Sequence, residues 1–96
     1  MSIYATLNGR YVGVEPGKTT VYTDRTSGGP WEEIAVTRHD EWVDIRFLAA
    51  NLQLTVTPDK HLETRPAGAI GGWELFLLTT VAGQAFASRE GVTFVL

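Results

Sequence analysis

The chain has 96 residues, a net charge of −3 and no cysteine. This length predicts a single domain over residues 1–96, and the acidic balance argues against a nucleic-acid surface, which needs a basic stripe. The absence of cysteine excludes disulfides and thiolate metal sites.

The first twenty residues contain no basic segment followed by an apolar one, so they predict no signal peptide. The longest apolar run, Leu75–Leu78, has four residues, whereas roughly 20 are needed to cross a bilayer. We therefore expect a soluble protein that is synthesised in the cytoplasm and does not insert into a membrane.

Short β-prone runs, separated by turn signals such as Asn8-Gly9, follow one another along the whole chain. They lie at 4–7, 11–14, 19–23, 31–37, 42–48, 52–56, 61–64, 73–80, 85–88 and 92–95. Nine or ten short strands at this spacing predict an all-β barrel or sandwich.

One segment occurs twice. Gly29–Thr37 returns forty-two residues later as Gly71–Thr79, and each copy has a small-residue turn, then Trp-Glu, then an apolar strand that ends in threonine. A period near forty in a β-rich chain predicts a repeat architecture.

The end of the chain begins a third copy, in which Gly83–Gly91 aligns with Gly9–Gly17 and Val92–Val95 aligns with Thr20–Thr23. The repeats then cover about residues 2–40, 41–80 and 81–96, which is about two and a third units.

Three segments in the first unit carry a family resemblance: Asn8–Val12 with Glu15, Asp24-Arg25, and Gly29–Glu32. Together they resemble the repeat of the fascin-like β-trefoil domains of the actin-crosslinking superfamily. The resemblance implies a β-trefoil-like barrel of antiparallel strands with an incomplete third repeat. It also implies that Trp31 and Trp73 plug the barrel axis.

The remaining large apolar residues of the predicted strands are expected to form the core. With the two plugs, the predicted core is Trp31, Trp73, Ile34, Phe76, Val12, Leu54 and Phe86. Trp42 stands beside acidic residues at the head of an alternating strand, and the pattern leaves open whether its side chain is buried or exposed.

No constellation for catalysis is visible. His39 and His61 lie in different units without ligand spacing, which predicts neither a metal site nor a cofactor. Glu32 and Glu33 are adjacent, so in a strand they would face opposite sides and could not act as a pair. We expect a protein that is not an enzyme.

Each unit carries an arginine in a loop. We expect Arg25 and Arg65 either to hold a nearby carboxylate in a bidentate pair or to contribute to a shallow polar site. Sugar-binding trefoils combine an aromatic residue with such polar groups. The candidate contact residues are therefore Tyr22, Asp24, Arg25, Trp42 and Arg65.

Two functions fit these observations. The first is a structural or binding component of a larger assembly, such as a phage virion or tail, that contacts protein or glycan through a trefoil surface. In that case a neighbouring subunit, or a second copy in a homo-oligomer, would add a strand at Val92–Leu96. The alternative is a free-standing, lectin-like carbohydrate-binding module.

Overall fold

A computed structural model describes residues 2–96 and contains antiparallel β-strands without any α-helix in that range. The all-β prediction is confirmed, although the strands number eleven because Ala5 divides the first one in two. They are β1 (Ile3–Tyr4), β2 (Thr6–Leu7), β3 (Arg10–Val14), β4 (Val21–Arg25), β5 (Glu33–His39), β6 (Trp42–Phe47), β7 (Leu52–Val56), β8 (Leu62–Pro66), β9 (Phe76–Val81), β10 (Gln84–Arg89) and β11 (Val92–Val95).

The sheet is curled into a barrel-like form. Its strands follow the order β1-β5-β6-β9-β10-β11-β2. Because only Ala5 separates β1 from β2, this path ends beside the segment where it began. The hairpins β3–β4 and β7–β8 extend from β2 and β6, respectively.

The core fills the inside of this curled sheet. In strand β6, Val43, Ile45 and Phe47 are buried as its sequence predicts, but Asp44 between them is buried as well. The end of the chain also contributes, because the rings of Phe76 and Phe94 pack edge to face with centroids 5.7 Å apart. The buried apolar residues are Ala5, Val12, Val14, Ile34, Val43, Ile45, Phe47, Leu54, Val56, Phe76, Ala87 and Phe94.

Three of the predicted core residues lie elsewhere. Trp31 and Trp73 are 39% and 41% exposed, so the prediction that they plug the barrel is wrong. Both precede their strands: Trp31 lies in a turn and Trp73 in the short 3-10 helix Gly72–Glu74, which place the indoles outside. Phe86 is only half-buried because β10 directs the neighbouring Ala87 into the core.

The predicted third copy corresponds to strands β10 and β11. Strand β10 pairs with β9 across a two-residue turn, as β3 pairs with β2 and as β6 pairs with β5 across a short turn. The alignment of the third copy therefore stays a prediction.

The predicted edge at Val92–Leu96 is paired on its outer side only at Val95. Strand β11 pairs with β10 from Val92 to Val95, and on its other side Val95 pairs with Thr6 of β2. The curling of the sheet brings β2 to this edge, which the linear sequence does not reveal.

Three hairpins have two-residue loops in which both residues have positive φ: Asn8-Gly9, Ala82-Gly83 and Glu90-Gly91. This conformation matches the right-handed twist of the flanking strands. Ala82, at φ 52°, adopts it without the help of an asparagine side chain or of a missing Cβ.

Candidate contact surfaces

The repeated Gly-x-x-Glu segments form two similar turns in which the glutamate, not the tryptophan, is buried. Gly29 donates its N–H to Glu32 Oε1 at 2.9 Å, and Gly71 donates to Glu74 Oε1 at 2.8 Å. In the reverse direction, the N–H of each glutamate donates to the glycine carbonyl at 3.1 Å. Each turn is therefore closed by two hydrogen bonds, and its tryptophan faces solvent.

The second oxygen of each carboxylate accepts a hydroxyl from the adjacent hairpin. Tyr22 of β4 donates to Glu32 Oε2, whereas Thr55 of β7 donates to Glu74 Oε2 at 2.9 Å. The counterpart of Thr55 in the first unit is Gly13, where a Cβ would lie 2.6 Å from the Tyr22 hydroxyl oxygen. The two units thus satisfy the same buried carboxylate from different strands.

Tyr22 and its neighbours form a small polar cluster on β4. Burial, together with the hydrogen bond and the negative charge of Glu32, raises the pKa of the Tyr22 phenol well above its usual value. The Arg25 guanidinium lies 4.4 Å from the centroid of the same ring, a cation–π contact. Tyr22 is thereby held in its neutral form as a donor to Glu32.

The expected bidentate arginine–carboxylate pairs are not formed. Arg25 Nε lies 3.8 Å from Asp24 Oδ1, and both side chains are more than half exposed. Arg65 reaches Glu63 through one nitrogen, Nη1, at 3.2 Å, and the same nitrogen donates to the Thr64 carbonyl. Both pairs join near neighbours on one strand, which is too short a separation for two parallel hydrogen bonds.

A cleft of about 470 Å³ lies between the two hairpins. The Thr64 hydroxyl donates to the Thr19 carbonyl across it at 2.9 Å. The cleft is lined by apolar side chains together with hydroxyl and charged groups. The lining residues are Thr19, Thr20, Val21, Leu52, Leu62, Glu63, Thr64, Arg65 and Pro66. Of the five candidate contact residues, Arg65 alone lines this cleft.

Trp42 lies in a different place, and its exposure, which the sequence left open, is 40%. It lines a mostly apolar recess of about 240 Å³ with Gly72, Leu75 and Arg89. On the neighbouring strand Leu77 pairs with Trp42 in register and is also 40% exposed. Trp42 is thus part of an exposed apolar surface and is separate from the polar cluster on β4.

Arg89 was not singled out from the sequence. Its Nε donates to the Val56 carbonyl at 2.9 Å, and its side chain is mostly buried. No sequence pattern marks this role, because Arg89 is the last residue of β10 and its acceptor lies in a strand distant along the chain.

A polar network that joins His39 at the end of β5 to the buried residues Asp44 of β6 and Gln53 of β7 was also missed. His39 Nε2 lies 2.6 Å from Asp44 Oδ2, and Gln53 donates to Asp44 Oδ1 at 3.0 Å. Gln53 in turn accepts the N–H of Gly68 at 3.3 Å. Through Gln53, the network attaches the loop after β8 to the sheet. The only sign of this network in the sequence was the polar residue Gln53 between two leucines of a strand.

Among residues 2–96, no group of three or more histidine, aspartate or glutamate side chains is arranged to hold a metal ion. Within the same range, no helix has the length and hydrophobicity that a membrane crossing requires.

No family model matches the chain, and no curated protein matches it either.

Proposed function

We propose that this chain is a non-catalytic binding module with a β-trefoil-like fold, which serves as a surface or accessory component of a larger assembly such as a phage virion or tail. The observation that carries the proposal is the pairing of Trp42 with Leu77, since two large apolar side chains are exposed side by side next to a recess. Exposed clusters of this kind are typical of contact surfaces, and tryptophan is enriched at interface hot spots.

The trefoil part of the proposal is supported by the repeated strand pairings. In the first unit β5 pairs with β1 and with β6, and in the second unit β9 pairs with β6 and with β10. A hairpin, β3–β4 or β7–β8, stands between the first and last strand of each unit. The third unit contributes β10 and β11. We therefore propose a fascin-like fold with two complete units and a partial third unit.

The chemistry of the recess favours a protein over a sugar as its partner. A carbohydrate site needs several precisely placed polar groups around its aromatic platform. In this recess the only charged residue is Arg89, whose Nε already donates to the Val56 carbonyl. The apolar side chains of another protein fit such a surface better.

The assembly role is tested by sedimentation. The tagged chain is produced in its source cells, and the fraction that sediments with high-mass particles is measured in a sucrose gradient. We expect the native chain in heavy fractions and Trp42→Glu in light fractions, because a carboxylate would have to be desolvated in the interface. Trp31→Glu is the matched control, since Trp31 is equally exposed but does not line the recess. Native chain that sediments only as a 10.5 kDa species would contradict the proposal.

The alternative, a lectin-like module, is favoured by a different observation, the hydroxyl and charged groups in the cleft between the hairpins. An array of defined oligosaccharides tests it. Saturable binding that is lost in Arg65→Ala and retained in Arg38→Ala would support this alternative, because Arg38 is exposed and does not line the cleft. An array without any saturable signal would rule against it.

A further inference from the structure

Arg89 brings a positive charge into the recess beside Trp42. The recess has a volume of about 240 Å³, and its other lining residues are Trp42, Gly72 and Leu75. Arg89 is the last residue of β10, and its side chain is only 17% exposed. A mostly buried cation in apolar surroundings is costly unless hydrogen-bond partners replace the water that it loses. The contacts of the guanidinium nitrogens therefore indicate what the recess can bind.

Within residues 2–96, only Nε of the Arg89 guanidinium makes a hydrogen bond, to the Val56 carbonyl at 2.9 Å. The nearby carboxylate of Glu90 has Oε1 3.9 Å from Nη2, which is longer than a hydrogen bond. No buried side-chain nitrogen in the same range lacks a partner, so Nη1 and Nη2, which have none, reach solvent. Because Arg89 lines the recess, these two nitrogens are the donors that it offers there.

The two available nitrogens of Arg89 favour a carboxylate as their acceptor. Nη1 and Nη2 form a flat pair of donors that matches the two oxygens of a carboxylate in a bidentate contact. A phosphate has further charged oxygens, which the mostly apolar remainder of the recess would desolvate. Trp42 and Leu77 are each 40% exposed, so apolar groups next to the carboxylate would also find a surface to pack on. The chemistry of the site thus fits an apolar segment that carries one carboxylate.

We propose that the recess binds an acidic side chain of a partner protein, with its carboxylate on Nη1 and Nη2 of Arg89 and its apolar neighbours against Trp42 and Leu77. The proposal rests on the assembly role proposed above and names the chemistry of the partner: a mostly apolar segment with one aspartate or glutamate. Charge complementarity chooses this occupant, since a wholly apolar segment would bury the two donors of Arg89 without acceptors. The carboxylate supplies specificity, because a partner without it leaves a desolvated guanidinium unpaired.

Two capped tripeptides, leucine–glutamate–leucine and its neutral counterpart with glutamine, test this proposal on the purified chain. NMR titration of the isotope-labelled protein with the glutamate peptide should give saturable shifts of the Arg89 Nε–H and Trp42 indole N–H signals. The glutamine peptide should bind about tenfold or more weakly, because a neutral amide replaces the charged acceptor of two hydrogen bonds. Added salt should weaken binding of the glutamate peptide and leave that of the glutamine peptide nearly unchanged.

Three variants locate the bound carboxylate. Arg89→Gln should bind the glutamate peptide no better than the glutamine peptide. Arg38→Gln is the matched control, since Arg38 Nε also donates to a carbonyl, that of Asp40 at 2.7 Å, but Arg38 does not line the recess. Glu90→Gln should strengthen binding of the glutamate peptide by about two- to fivefold, because it removes the competing anion near Nη2. This third variant keeps the contact of Arg89 with Val56, so its result does not depend on whether Arg89→Gln folds.

The proposal is overturned if neither peptide gives saturable binding, if the two peptides bind equally, if Glu90→Gln leaves binding unchanged, or if Arg38→Gln weakens binding as much as Arg89→Gln. A dimer of the native chain that the glutamate peptide dissociates would overturn the assignment to a partner protein, because the occupant would be a second copy. A chain that distinguishes the peptides but sediments only as a light species would refute the assembly role alone. A chain in heavy fractions that does not distinguish them would refute the carboxylate site alone.

Discussion

At the scale of single residues, hydrogen bonding decides which part of the repeated Trp-Glu pair is buried. Glu74 is mostly buried because two donors, the Gly71 N–H and the Thr55 hydroxyl, replace the water that its carboxylate loses. Trp73 precedes its strand and stays exposed. Hydrophobicity alone predicts the reverse order, and so does the fascin-like resemblance, which wrongly implied that the tryptophans plug the barrel.

This order of burial predicts how two neighbouring substitutions compare. Glu74→Ala leaves a glycine N–H and a threonine hydroxyl without their acceptor, which should lower the free energy of unfolding by about 1–3 kcal/mol. Trp73→Ala should lower the free energy of unfolding by less than Glu74→Ala does. Its effect should also be well below the roughly 3–5 kcal/mol expected when a fully buried tryptophan is replaced by alanine. Urea unfolding followed by circular dichroism measures both. A larger loss in Trp73→Ala than in Glu74→Ala would contradict this order of burial.

At the scale of elements, some turns can be predicted from the sequence and others cannot. Asn8-Gly9 is a recognisable two-residue hairpin loop, because both residues tolerate positive φ. Ala82-Gly83 forms the same kind of loop, but alanine gives no turn signal. In this second loop the pairing of β9 with β10, from Leu77↔Ser88 to Val81↔Gln84, imposes the conformation on Ala82.

Ala82→Asn should therefore stabilise the protein. Asparagine occupies the left-handed region at lower cost than alanine, for which that region costs roughly 1–2 kcal/mol. We expect the free energy of unfolding to rise by about 0.5–1 kcal/mol, seen as a higher thermal midpoint in calorimetry. Ala67→Asn, at another exposed turn position without a positive φ, should leave the midpoint nearly unchanged. No gain in Ala82→Asn would mean that the loop conformation differs from the one described.

At the scale of the whole molecule, the last strand closes the core. Strand β11 lies between β10 and β2, and Phe94 packs on Phe76 inside the barrel-like sheet. The sequence predicts instead that Val92–Leu96 is an edge and that Phe86 is the core aromatic of this region. The curled sheet brings β2 beside Val95 alone, and it leaves Phe86 half-buried while Phe94 enters the core.

A comparison of two phenylalanines tests this closure. Phe94→Ala should lower the free energy of unfolding by about 3–5 kcal/mol, which is close to the whole stability of a small domain. Phe86→Ala is the matched control and should cost clearly less, since Phe86 is only half-buried. Thermal unfolding of both variants decides the matter. Equal losses would contradict the placement of Phe94 as the closing core residue.

The sequence alone determined the all-β class and the apolar core positions Val43, Ile45 and Phe47 of β6. It did so because these features depend on local properties: β-propensity, turn residues and a side-chain period of two. It also identified Trp42 and Arg65 as candidate contact residues, but it could not place them on separate surfaces.

Only the tertiary structure decided which strand neighbours which, and therefore which groups are buried. The carboxylate of Glu32 is satisfied by Tyr22, and that of Glu74 by Thr55, through contacts that no fixed sequence spacing encodes. In the same way, the unpaired side of β1 exists because β5 occupies its other side and β11 reaches only as far as β2. Such contacts join residues distant along the chain, and local sequence patterns do not record them.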